Sequence, residues 1–147
     1  MEKTENSEKA KKNILIIEDE MEMRFYLMAL VKSMGHCPVM TKNGVHGLEA
    51  LGTPPGKPLP DLIILDVMMP EKGGALVYRE IKSDNRYRDI PLLIFSGVDP
   101  KAFAHYVKML NANPGCDILV PKYYVEKSAD PDYLKKVITD CMNDPKP

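Results

Sequence analysis

The chain has 147 residues and carries 20 lysines and arginines against 21 aspartates and glutamates. So even a balance offers no long-range attraction to nucleic acid or to an anionic membrane, and the length suits one domain able to bury roughly two thirds of its unfolded surface without a disulfide or a structural metal. Cys37, Cys116 and Cys141 are far apart and lack CxxC spacing, which disfavours both a disulfide framework and a zinc site and makes a reducing cytoplasm the simplest compartment. No apolar run approaches the ~20 residues of a membrane span, and no signal-peptide core follows the charged N-terminus.

Residues 1–12 are polar and lysine-rich and read as a disordered lead-in. The domain is expected over 13–143, with 144–147 as a tail. Its first strand is Ile14 to Ile17, followed by Glu18-Asp19-Glu20. Met23, Leu27, Leu30 and Met34 then share a helical face that Gly35 can close. A second strand, Pro38 to Met40, and a weaker helix near Val45 to Leu51 lead into GTPPGKPLP, whose four prolines suit an extended surface loop. The third strand, Leu62 to Leu65, ends at Asp66, and a weaker helix covers Leu76 to Ile81. The fourth, Leu92 to Phe95, ends at Ser96-Gly97. Asp99-Pro100 starts the helix of Phe103, Val107 and Leu110, because the aspartate caps and the proline's missing N–H costs nothing in a first turn. The fifth strand is expected at Ile118 to Val120, ending at Pro121-Lys122, with YYVEKSAD as a long loop. Asp130-Pro131 starts the last helix, of Leu134, Val137, Ile138 and Cys141, which ends near Met142.

Short strands apolar on both faces, alternating with helices, predict a five-stranded parallel sheet, doubly wound, with five helices. Ligands of such a sheet sit beyond the carboxyl ends of its strands. Glu18, Asp19, Asp66, Ser96 and Lys122 all fall there. Neighbouring first and third strands would bring Asp19 and Asp66 together, and close like charges call for a cation or a proton. A site rich in oxygen and poor in nitrogen and sulfur suits Mg²⁺. A carboxylate beside Mg²⁺ can attack phosphorus to give an aspartyl phosphate. Asp66 is the expected nucleophile, with the Lys122 ammonium and the Ser96 hydroxyl compensating the new charge.

Taken singly, these residues have plainer readings: Asp19 as a helix cap, Ser96-Gly97 as a turn, Lys122 as a solvated lysine. It is the joint pattern that resembles the receiver domain of two-component response regulators, over about Asn13 to Met142. The resemblance implies a flavodoxin-like sheet of strand order 2-1-3-4-5. It implies Asp66 as phosphoacceptor, Asp19 as a direct Mg²⁺ ligand and Glu18 as a water-mediated one. The main-chain carbonyl of Met68 becomes the third protein ligand, Ser96 the switch hydroxyl and Lys122 the lysine that pairs with the phosphoryl group. A histidine kinase or phosphotransfer protein would donate the phosphate, and a downstream protein would read it. Kinase, reader and oligomeric state, a homodimer included, stay open.

Two departures follow from placing the lysine at 122. Leu119 stands three residues earlier, where many receivers carry the Tyr or Phe that reports phosphorylation. Tyr123 stands where proline is usual, and a cis bond before a non-proline residue costs roughly 3 kcal/mol. Met68 and Val98, two residues after the phosphoacceptor and the hydroxyl, are apolar and predict slow self-dephosphorylation. The competing readings are a degenerate receiver kept as a binding module and, from another class, a Mg²⁺-dependent phosphohydrolase. The latter places its nucleophile after the first strand. His36, His46 and His105 lack ligand spacing. Met21, Met23, Met28 and Met34 read as core filler, and Tyr123 and Tyr124 as packing of the long loop.

Overall fold

The computed structural model describes residues 11–52, 56–68 and 73–144. The expected lead-in before Asn13 and tail after Asn143 lie almost wholly outside them. In chain order the elements are β1 (Asn13–Ile17), α1 (Met21–Ser33), β2 (Cys37–Thr41), α2 (Gly44–Gly52), β3 (Leu62–Leu65), α3 (Gly74–Ser83), β4 (Leu92–Ser96), α4 (Pro100–Leu110), β5 (Tyr123–Glu126) and α5 (Pro131–Asn143). The five strands form one sheet in the order β2-β1-β3-β4-β5, every pair parallel. This is the doubly wound α/β architecture that the alternation of strand and helix patterns predicts.

The sheet is covered on two sides because successive side chains of each strand point to opposite faces. Leu15, Ile17, Ile63, Leu65 and Ile94 pack with Leu51 of α2, Val77, Tyr78 and Ile81 of α3, and Phe103 and Val107 of α4. Ile14, Ile16, Leu62, Ile64, Leu93 and Phe95 pack on the other side with Leu27, Leu30 and Val31 of α1 and Leu134, Ile138 and Cys141 of α5. The two aspartate–proline starts behave as their chemistry dictates. Asp99 accepts from the backbone N–H of Lys101, and Asp130 from those of Asp132 and Tyr133. Gly35, at φ 85°, turns the chain out of α1, with its N–H donating to the carbonyl of Lys32.

The fifth strand departs from expectation, and the reason is local. The apolar run Ile118 to Val120 has its backbone groups taken by side chains. The Asn111 amide brackets Ile118, donating to its carbonyl at 2.7 Å and accepting from its N–H at 2.8 Å, and the Tyr78 hydroxyl donates to the carbonyl of Leu119 at 2.8 Å. Ile118 alone enters the core, while Leu119 is 81% exposed and Val120 55%. Residues 111–122 therefore form a connection. The strand is Tyr123–Glu126, inside the segment expected as a loop, paired with Leu93–Ser96 of β4. Its alternation fits an edge strand: Tyr124 joins one core, and Tyr123 and Val125 the other.

An open cleft of about 340 Å³ lies at the amino end of β4, lined by Tyr78, Lys82, Ile118, Leu119, Lys122 and Cys141 among others. None of the carboxylates at the other end of the sheet reaches it.

Candidate functional site

The strand ends are fixed by the ladder itself. Beyond the assigned strands, the N–H of Glu18 donates to the carbonyl of Thr41, that of Asp66 to Ile17, and that of Lys127 to Ser96. The register of β1 with β3, Ile17 beside Leu65, makes Glu18 and Asp66 emerge side by side. Glu18, Asp66 and Ser96 are the buried polar residues among those described. Asp19, in the turn to α1, is exposed.

Carboxylate oxygens of Glu18, Asp19 and Asp66 lie within 4.8 Å of one another. Burial, followed by the charge of Asp66, pushes the Glu18 carboxyl well above the usual carboxylate range. Glu18 Oε2 accepts from the N–H of Glu20, whereas the buried Oε1 makes no hydrogen bond, although a cation lies within ion-pair reach of it. Asp66 Oδ1 accepts from the N–H of Met68 at 2.9 Å. Three converging carboxylates, one with an orphaned buried oxygen, form a donor set that fits a hard divalent cation such as Mg²⁺.

The cation within reach is Lys127, which corrects the expectation for Lys122. Lys127 Nζ lies 3.0 Å from Asp66 Oδ2, 3.2 Å from Glu18 Oε1 and 3.4 Å from Glu20 Oε1. Burial works against its charge, but the hydrogen bond and attraction to Asp66, with Glu18 behind, outweigh that and raise the ammonium to about 12. Lys122 is 71% exposed and pairs with Asp144 at 2.6 Å, at the cleft on the far end of the sheet. The two lysines differ in which strand they follow: β5 runs through Tyr123–Glu126, so its carboxyl end is Lys127.

Of the two departures attached to Lys122, the first falls with it and the second moves to residue 128. Three residues before Lys127 stands Tyr124, not Leu119, and its hydroxyl donates to the carbonyl of Val98 at 2.7 Å. Ser128, not Tyr123, follows the lysine. Ser96 ends β4 wholly buried, its Oγ accepting from the N–H of Val98 at 3.3 Å. The aromatic side chain is thus anchored in the turn that starts at Ser96.

Two contributors carried no sequence signal of their own. Gly74, in the first turn of α3, packs so closely on the backbone of Asp66 and Val67 that an added Cβ would run into the Asp66 carbonyl oxygen and the Val67 Cα. Glu20, exposed, shares Lys127 with the buried pair.

Comparison with known proteins shows the family and the fold. The family model described as "Response regulator receiver domain" matches residues 14–139. The polar-differentiation response regulator DivK of Brucella anthropi is 27% identical over 112 residues, covering 76% of this chain and 84% of that protein. The Regulator of RpoS of Escherichia coli K12 is 36% identical over 91 residues, 62% of this chain but only 25% of that protein. Response regulator protein TrrA of Thermotoga maritima, solved in complex with Mg(2+)-BeF, is 25% identical, with a TM-score of 0.68 over 88% of this chain and 98% of that one. Chemotaxis protein CheY4 of Vibrio cholerae, at 18% identity, shares the fold, with a TM-score of 0.70 over 90% of this chain and 99% of that one.

Proposed function

Because the chain belongs to the response regulator receiver family, we propose that Asp66 accepts a phosphoryl group, in a Mg²⁺-dependent reaction, from a histidine kinase or phosphotransfer protein. The observation that carries this reading is the convergence of Glu18, Asp19, Asp66 and Lys127 at the carboxyl edge of one sheet. The module signals by phosphorylation-dependent partner binding and is not itself an enzyme. Its compartment in this reading is the cytoplasm, and none of the helices described is long and apolar enough to cross a membrane.

An oxygen of the Asp66 carboxylate attacks phosphorus, the new O–P bond forms as the P–N bond to the donor breaks, and the electron pair returns to the imidazole nitrogen. Met68 N–H, on the other oxygen of Asp66, keeps the carboxylate turned toward the site. Lys127 leaves its shared position among the carboxylates and pairs with a phosphoryl oxygen, while Ser96 donates its hydroxyl to another. Glu18, Asp19, Asp66 and the Met68 carbonyl would hold Mg²⁺, which supplies charge neutralisation for the transferring group. Tyr124, anchored to Val98 beside Ser96, is placed to report the state of the site as a shift between two conformers.

The test is intact mass after incubation with acetyl phosphate and Mg²⁺, beside Asp66→Asn and a metal-free control. One phosphoryl adduct that needs both Mg²⁺ and Asp66 is expected; no adduct under any condition would leave a phosphorylation-independent binding module. Met68 and Val98 offer no polar side chain to orient a hydrolytic water, so the adduct should persist when followed over time, and loss within seconds would contradict that part.

A further inference from the structure

The three carboxylates of the site are held in unequal ways. Asp66 is fixed by the β1–β3 ladder and by Met68 N–H. Glu18 is fixed by its N–H on Thr41 and by Glu20 N–H on Oε2. Asp19 has no such support: its side chain is exposed and makes no hydrogen bond among the described residues. Its position beside the other two therefore rests on its backbone. That backbone is held by Arg24. From the first turn of α1, Arg24 Nη1 donates to the carbonyl of Glu18 at 2.9 Å and to that of Asp19 at 3.2 Å. The Arg24 N–H itself donates to the carbonyl of Glu20 at 2.9 Å, so the side chain reaches back over the helix N-terminus as helical side chains do.

The chemistry of this contact is selective. The guanidinium spends its donors on carbonyl oxygens and makes no ion pair with a carboxylate among the described residues, so the carboxylate oxygens of Glu18 and Asp19 stay available to a cation. Both bonds leave one amino group, whose two N–H are held at a fixed angle in the guanidinium plane, whereas a lysine ammonium sits on a shorter stem and rotates freely. We propose that Arg24 is a positioning residue for the divalent cation: it locks the Glu18–Asp19 peptide so that the otherwise unsupported Asp19 carboxylate meets those of Glu18 and Asp66. This rests on the reading of those three residues as the metal site. Groups that orient metal ligands from behind govern affinity without touching the ion.

The test is calorimetric titration of the full chain with Mg²⁺ alone, for the native protein, Arg24→Ala and Arg24→Lys, with circular dichroism and melting as folding controls. Removing such a support typically weakens metal binding by about 10-fold to 100-fold, so Arg24→Ala should fall in that range and Arg24→Lys between it and the native chain. The Mg²⁺ concentration that half-saturates labelling by acetyl phosphate should rise in parallel. Native-like Mg²⁺ affinity in a folded Arg24→Ala would overturn the proposal. A native chain that binds no Mg²⁺ would instead overturn the metal reading beneath it. If Arg24→Ala does not fold, Arg24→Lys decides, and an unchanged Mg²⁺ affinity in that variant would overturn the proposal.

Discussion

The carboxyl ends of β1 and β3 and the segment from residue 111 to 127 each supply part of one site, yet they are built on opposite terms. β1 and β3 are central strands, apolar on both faces, and their acidic ends follow without interruption. β5 is an edge strand of four residues, Tyr-Tyr-Val-Glu, of which only Val125 is buried. The more strand-like run ahead of it, Ile118 to Val120, is a connection pinned by Asn111 and Tyr78. Hydrophobicity thus identifies a strand covered on both sides, but at a sheet edge it competes with any loop that drops one residue into the core.

The sharpest way to break this comparison is to place a charge at the same residue type in each segment. Val125→Asp puts an unpaired carboxylate where exposure is 1% and should destabilise the fold by about 3–5 kcal/mol. Val120→Asp, at 55% exposure, should stay within about 0.5 kcal/mol of native. Denaturant melts measure both, and the reverse order would restore the earlier run as the strand. The two lysines give the functional counterpart. Lys127→Ala should slow labelling by acetyl phosphate by about 100-fold, whereas Lys122→Ala should label and melt as the native chain does. Equal effects would dissolve the distinction.

Gly74→Ala tests the central half. The added methyl meets backbone rather than a movable side chain, so a loss of about 1–3 kcal/mol is expected in the melt, with slower labelling as Asp66 shifts. The last effect is a slope with pH rather than a single loss. Glu18 is raised from 4.5 to about 8, chiefly by burial, so the folded state holds its proton where the unfolded chain has lost it. That contribution is complete below the unfolded value and vanishes as pH rises through the folded one. The melting temperature of the metal-free protein should therefore decline across this window, and Glu18→Gln should flatten the decline. A slope unchanged by Glu18→Gln would place its cause elsewhere.

The sequence by itself determined the sheet's central strands, the helix starts at Asp99-Pro100 and Asp130-Pro131, and the two acidic residues, Glu18 and Asp19, that gather at Asp66, because burial on two faces and capping chemistry are written in neighbouring residues. Only the tertiary structure decided which lysine faces Asp66. Lys122 and Lys127 each follow a short apolar stretch, and the choice turns on strand pairing with β4 and on two side chains, Tyr78 from distant α3 and Asn111 from the end of α4, that occupy the backbone of the competing run. The same holds for Gly74 and Arg24, whose roles exist only where α3 and α1 meet the strand ends they support. A spacing rule reads what lies along the chain, whereas these contacts depend on what folding brings across it.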